Sequence, residues 1–117
     1  MQPTRRELLI LAVMVLAFYG FQAWWSARQD AALGPQVSAL ARDGDIRMLA
    51  SETCSICGAA RAWFTEHRIP FSECTIERDA ACRAAFRAST SPGTPVLLVR
   101  GRTLIGFSPA RVRDALT

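Results

Sequence analysis

The chain's 117 residues leave room for one small domain and an appendage, and half of the composition is hydrophobic but unevenly distributed. Its net charge of +4 comes from fourteen basic residues, all arginine, against ten acids. The arginines are spread along the chain with no block of five or six, so they read as a solvated surface and not as a nucleic-acid patch; the sequence also shows no glycine-rich phosphate loop, paired-carboxylate constellation, Ser/His/Asp arrangement or internal repeat.

The hydrophobic excess lies at the start. From Leu8 to Ala27 twenty consecutive residues carry no charge, with Arg5 and Arg6 before them and Arg28 after. A helix of that length rises about 30 Å, enough for the hydrocarbon core of a bilayer. Tyr19, Trp24 and Trp25 lie toward its C-terminal end, where an interfacial aromatic belt belongs. Three readings compete: an anchor, a cleaved signal peptide with Leu8 to Phe18 as its apolar core, and a buried core helix. No small-x-small cleavage site follows cleanly, since Phe21 precedes Ala23 and Trp25 precedes Ala27 by two positions. The remaining elements form a complete fold without this helix. An uncleaved anchor over residues 1–27 is therefore the preferred reading. The bias of Arg5 and Arg6 over Arg28, which Asp30 offsets, points to a cytoplasmic N-terminus and a periplasmic domain.

Residues 28–44 read as a tether. Gly34-Pro35 is expected to interrupt any continuous helix, with one more turn over Val37 to Ala41 before Gly44. Fully extended, this spacer spans at most about 55 Å.

A domain is expected over residues 45–117. Asp45 to Ala50 reads as a first strand and Ser55 to His67 as a helix, with Ile56, Ala60, Trp63, Phe64 and His67 at helical spacing. A second strand is expected over Ile69 to Ile76, because the residue before Pro70 avoids the helical region. Asp79 caps a second helix running to Ser89. The turn Ser91-Pro92-Gly93-Thr94-Pro95 leads into Val96 to Val99, a continuous apolar run typical of a strand covered on both faces. Thr103 to Ile105 forms the last strand. Ser108 caps the closing helix, Pro109 to Leu116, with proline in its first position.

The chemistry centres on Cys54-Ser55-Ile56-Cys57, a dithiol at a strand-to-helix junction. At a helix start, unpaired N–H groups and the positive helix end favour an anion, here the Cys54 thiolate. Cys57, about one turn later, reaches back to the first sulfur. The competing use of C-x-x-C is half of a zinc site, which needs a second ligand pair. Cys74 and Cys82 are eight positions apart and His67 is the single histidine, so neither provides the usual partner motif. Redox chemistry is preferred and no metal is expected. His67 reads as packing or helix-end electrostatics. Cys74, in the second strand, and Cys82, in the first turn of the next helix, are either a structural disulfide or two buried thiols. An oxidising compartment and a small core favour the bridge.

These motifs resemble the glutaredoxins of the thioredoxin superfamily: C-S-I-C at 54–57, G-T-P at 93–95 and G-F-S-P at 106–109, in β-α-β-α-β-β-α order. The resemblance covers about residues 45–116. It implies an α/β thioredoxin-like fold, a four-stranded mixed sheet with three helices, preceded here by the transmembrane helix. It also implies thiol-disulfide oxidoreductase activity through Cys54 and Cys57, with Pro95 as the cis-proline facing the dithiol and Thr94 pairing with an extended thiol-bearing substrate. Ser55, Ile56, Gly106 and Phe107 complete the implied substrate-binding side. No cofactor beyond the redox disulfide is expected; glutathione or a reductase is the electron donor, and protein disulfides or thiols are the partners of a monomer. The likeness to short anchored bacterial members places the chain in a bacterial inner membrane.

The chain departs from the family pattern at four places. Ser55 stands where proline is usual and Ile56 where an aromatic is usual. Ser51 replaces a common lysine, and Ser108 and Pro109 replace an acidic pair that holds the glutathione amino group. Weak glutathione binding is therefore expected. The alternative function is a tethered Cu(I)-transfer module using the same two soft thiolates.

Overall fold

The computed structural model describes residues 2–117, in the order α1 (Arg5–Leu40), β1 (Ile46–Ala50), α2 (Ser55–Glu66), β2 (Ser72–Thr75), α3 (Ala80–Ala88), β3 (Val96–Val99), β4 (Arg102–Ile105) and α4 (Pro109–Leu116). The chain divides into two compact units, the first ending at Ala32 and the second running Leu33–Thr117.

The first unit is a single helix whose apolar residues are exposed throughout, Leu8 to Trp25 among them. It opens with a reciprocal capping box: Glu7 N–H donates to Thr4 Oγ1 at 3.3 Å, and Thr4 N–H donates to the Glu7 carboxylate at 3.0 Å. By length and composition it is the one helix among the described residues apolar enough to cross a bilayer. Near its polar end the Arg28 guanidinium lies 4.4 Å from the centre of the Trp24 ring.

The helix does not break at Gly34-Pro35 as the sequence led us to expect; α1 runs through to Leu40. Packing within the second unit accounts for this. Leu33 and Val37, one turn apart, are buried, and Val37 is fully so. Burying two such side chains contributes about 1.5–3 kcal/mol each, which offsets the roughly 3 kcal/mol that an interior proline costs. Gly34 faces His67 so closely that a Cβ there would collide with the imidazole ring. The second half of the expected spacer thus belongs to the second unit, which begins at Leu33 and not at residue 45, and Val37 enters its core.

The sheet has the order β2-β1-β3-β4. β1 pairs parallel with β2 and antiparallel with β3, and β3 pairs antiparallel with β4. Alternation along the central strands separates two cores. Ile46, Met48, Ala50, Leu97 and Val99 meet Val37 of α1, Cys57, Ala60 and Phe64 of α2, and Val112, Ala115 and Leu116 of α4. Leu49 and Val96 face the other way, against Cys82, Ala85 and Phe86 of α3. β3 is covered on both faces, as its unbroken apolar run requires, whereas β1 carries one exposed residue, Arg47.

The second strand is shorter than the expected Ile69 to Ile76. Ile69 instead closes α2: its N–H donates to Phe64 O at 2.9 Å, and Arg68 N–H donates to Thr65 O at 3.2 Å. Arg68 has φ of 53°, so the helix ends in a Schellman turn with an arginine in the left-handed position usually taken by glycine. Ile69 and Phe64 share the same core, the apolar contact that accompanies this motif.

Arg100 ties several chain ends together. Its guanidinium donates to Asp45 Oδ2, to Leu116 O at 2.6 Å and to Leu40 O at 3.0 Å, so one cation serves the C-terminal carbonyls of α4 and α1. The same guanidinium holds the Asp45 carboxyl below the usual carboxylate range.

Candidate functional site: a dithiol at a helix start

Cys54 is the N-cap of α2, with extended backbone (φ −96°, ψ 104°). Its Sγ accepts the Cys57 N–H at 3.0 Å, an orphan donor of the first helical turn. Cys54 and Cys57 are joined as a disulfide across 5.3 Å between Cα atoms. Their exposures differ: Cys57 is fully buried against the α2 core, whereas Cys54 is half-buried. Cys54 is thus the more exposed cysteine of the pair, and its Sγ is the one that receives a helix-start N–H.

Of the other residues singled out in the sequence, Ser55 is exposed and Ile56 is 55% exposed, so an apolar side chain stands on the surface between the two cysteines. The Thr94–Pro95 peptide is cis, with Pro95 buried and Thr94 half-buried. Gly106, at φ 83°, donates its N–H to Pro95 O at 2.9 Å, which joins the G-T-P and G-F-S-P turns. Phe107 packs edge-on against Trp63 and Phe64 of α2, at 5.6 Å from each ring. Its ring supports the helix that carries the dithiol. His67 also packs, 5.1 Å from the Trp63 ring. Cys74 of β2 and Cys82 of α3 are joined across 6.0 Å between Cα atoms, with Cys82 fully buried.

Sequence reasoning missed the surroundings of Ser51. The Ser51 hydroxyl donates to the Glu77 carboxylate, Glu52 N–H donates to Glu77 Oε2 at 3.2 Å, and Arg78 pairs with the Glu52 carboxylate. The Ser51 hydroxyl, with smaller help from the Glu52 N–H and Arg83, holds the Glu77 carboxyl below its usual range. Position 51, where the resemblance led us to expect a lysine, is thus a serine bound to an anion. No local pattern announces a contact between residues 26 positions apart.

A Cys-x-x-Cys pair at a helix start and a buried cis-proline turn, on a four-stranded mixed sheet, define a thioredoxin-like thiol-disulfide redox protein. Residues 46–104 match the family model described as Glutaredoxin, and the chain belongs to the glutaredoxin family. Among solved structures it is similar to a crystal structure of a single-residue variant of the thioredoxin-like protein BC3987, at 22% identity and a TM-score of 0.56. That likeness covers 62% of this chain and 95% of the other, and supports the fold. A comparison with curated proteins gives no significant match.

Proposed function

We propose that the protein is a membrane-anchored thiol-disulfide oxidoreductase whose second unit works on the periplasmic side of a bacterial inner membrane. The observation that carries the chemistry is the asymmetry of the pair: an accessible Cys54 sulfur that accepts a helix-start N–H, and a buried Cys57 within reach of it. The Cys54 thiolate attacks one sulfur of a partner disulfide. A Cys54–partner bond forms, the partner's own bond breaks, and the departing thiolate takes a proton from solvent. Cys57 then loses its proton and attacks Cys54, releasing the second partner thiol. The partner disulfide gains two electrons and two protons, the Cys54/Cys57 dithiol is oxidised, and a donor must reduce it again.

Protein disulfides are the substrate class this reading assigns. The Thr94–Pro95 segment offers backbone to a substrate strand, and exposed Ile56 offers an apolar contact. A reductase is favoured over glutathione as donor. Charge-assisted contacts are worth about 1.5–3 kcal/mol each, and a carboxylate stands at the Ser51 edge where a cation would attract glutathione carboxylates.

The test uses the full chain in detergent. Cys57→Ser should accumulate mixed disulfides on Cys54 when mixed with a disulfide-bonded protein, and Cys54→Ser should accumulate none. Mixed disulfides on Cys57 in the Cys54→Ser variant, with none on Cys54 in the Cys57→Ser variant, would reverse the assigned roles. Efficient turnover with low-millimolar glutathione would refute the choice of donor.

A further inference from the structure

The two cysteine pairs are linked through one short loop. The Cys74–Cys82 bridge encloses Thr75 to Ala81, and that segment contacts three successive residues on the approach to Cys54. Ile76 N–H donates to Ala50 O at 2.9 Å. Glu77 receives the Ser51 hydroxyl and the Glu52 N–H. Arg78 pairs with Glu52. The chain of contacts continues inward, since Cys54 N–H donates to Ser51 O at 3.3 Å and Cys57 N–H to Cys54 Sγ at 3.0 Å.

The enclosed loop is itself held from α3. Arg83 donates from Nε to Ile76 O at 3.0 Å and from Nη2 to Glu77 O at 3.5 Å, and Asp79 caps α3 by accepting the Cys82 N–H at 3.1 Å. Cys82 is fully buried at that cap. The bridge therefore fixes the base of a loop whose carboxylate grips the entry to the redox pair.

We infer that the Cys74–Cys82 bridge positions the redox pair, with Glu77 as the positioning residue that carries its effect through Ser51 and Glu52 to Cys54. With the bridge closed, Glu77 holds residues 50–52 so that the first turn of α2 presents its N–H to the Cys54 sulfur. With the bridge open, the loop is free to leave Ser51, and Cys54 loses part of its anion stabilisation. Neither Glu77 nor the bridge touches the reacting sulfurs; their influence is on where those sulfurs sit.

This inference rests on Cys54/Cys57 being the redox couple, and the experiment separates the two. In the full chain, the Cys54/Cys57 equilibrium is measured against a glutathione redox buffer, in which one dithiol and one glutathione disulfide exchange for one protein disulfide and two glutathione thiols. The pH midpoint of Cys54 alkylation is measured alongside. Opening the bridge with the paired Cys74→Ser and Cys82→Ser substitutions should shift the equilibrium by at least about twofold, the lower end of coupling between contacting groups. It should also raise the alkylation midpoint. In a Glu77→Ala background the same opening should produce no further shift. Ser51→Ala and Glu77→Ala, which leave the bridge intact and so serve if the open form does not fold, should each shift the equilibrium and be non-additive together. Additive effects, or an equilibrium unmoved by all of these changes while Cys54/Cys57 still cycles, would overturn the positioning role alone. A Cys54/Cys57 pair that fails to cycle in the unaltered chain would overturn both readings.

Discussion

The two cysteine pairs make the same bond in opposite settings. Cys54 and Cys57 lie three positions apart at the start of α2, with Cys54 half-buried and a backbone N–H directed at its sulfur. Cys74 and Cys82 join the edge strand β2 to α3, with Cys82 fully buried and, among the described residues, no such donor on either sulfur. Thiol reactivity follows thiolate stability and access, not the presence of a bond. The first setting provides both and can exchange, while the second stabilises the fold by restricting the unfolded chain.

The sharpest way to break this contrast is to remove one sulfur from each pair. Cys54→Ala should reduce turnover of a protein disulfide to the uncatalysed rate, whereas Cys74→Ser should leave a chain that still cycles. The stability comparison should run the other way. Closing a loop as short as that between Cys74 and Cys82 is worth about 2–3 kcal/mol, which corresponds to a melting temperature lower by about 10–20 °C in a domain of this size. Thermal denaturation of Cys74→Ser in detergent checks it, and an unchanged melting temperature would remove the bridge's structural role.

A smaller effect is expected at Gly34. A methyl group there meets the His67 ring, so Gly34→Ala should destabilise the second unit by about 1–3 kcal/mol although alanine is the better helix former. Thermal denaturation again reads the change, and stabilisation by that substitution would show that the end of α1 does not pack against His67.

The smallest effect concerns acid. Arg100 keeps the Asp45 carboxyl below its ordinary value, and the Ser51 hydroxyl does the same for Glu77. Both groups therefore have a folded-state pKa below the unfolded one. Their contribution is fully present above the usual carboxylate range, near ~4, and is lost as pH falls through the depressed folded values. The melting temperature should fall with acid below about pH 5, and Asp45→Asn should flatten part of that fall. A pH-independent melting temperature over this range would contradict the assignment.

How much of this was legible in the sequence depended on how local each signal is. The apolar runs of β1 and β3, the helical spacing of Ala60 and Phe64, and the caps Asp79 and Ser108 are local patterns, and each element formed where its pattern lies. Gly34-Pro35 is also a local signal, and it misled because the burial of Leu33 and Val37 outweighs it. Ile69 looked like strand because a left-handed Arg68 gives no glycine to mark the Schellman turn. The dithiol was legible as a motif. Its anionic neighbour Glu77 was not, because the contact with Ser51 exists only once β2 and its loop lie beside β1.

The most direct test of the central claim is a redox titration of the full chain in which each cysteine's state is read by differential alkylation and mass spectrometry. Cys54 and Cys57 should open and close together and reversibly, with Cys54 alkylated first in the reduced form, while Cys74 and Cys82 stay joined across that range. Opening of the Cys74–Cys82 bridge before the Cys54–Cys57 pair, or faster alkylation of Cys57 than of Cys54, would contradict the account.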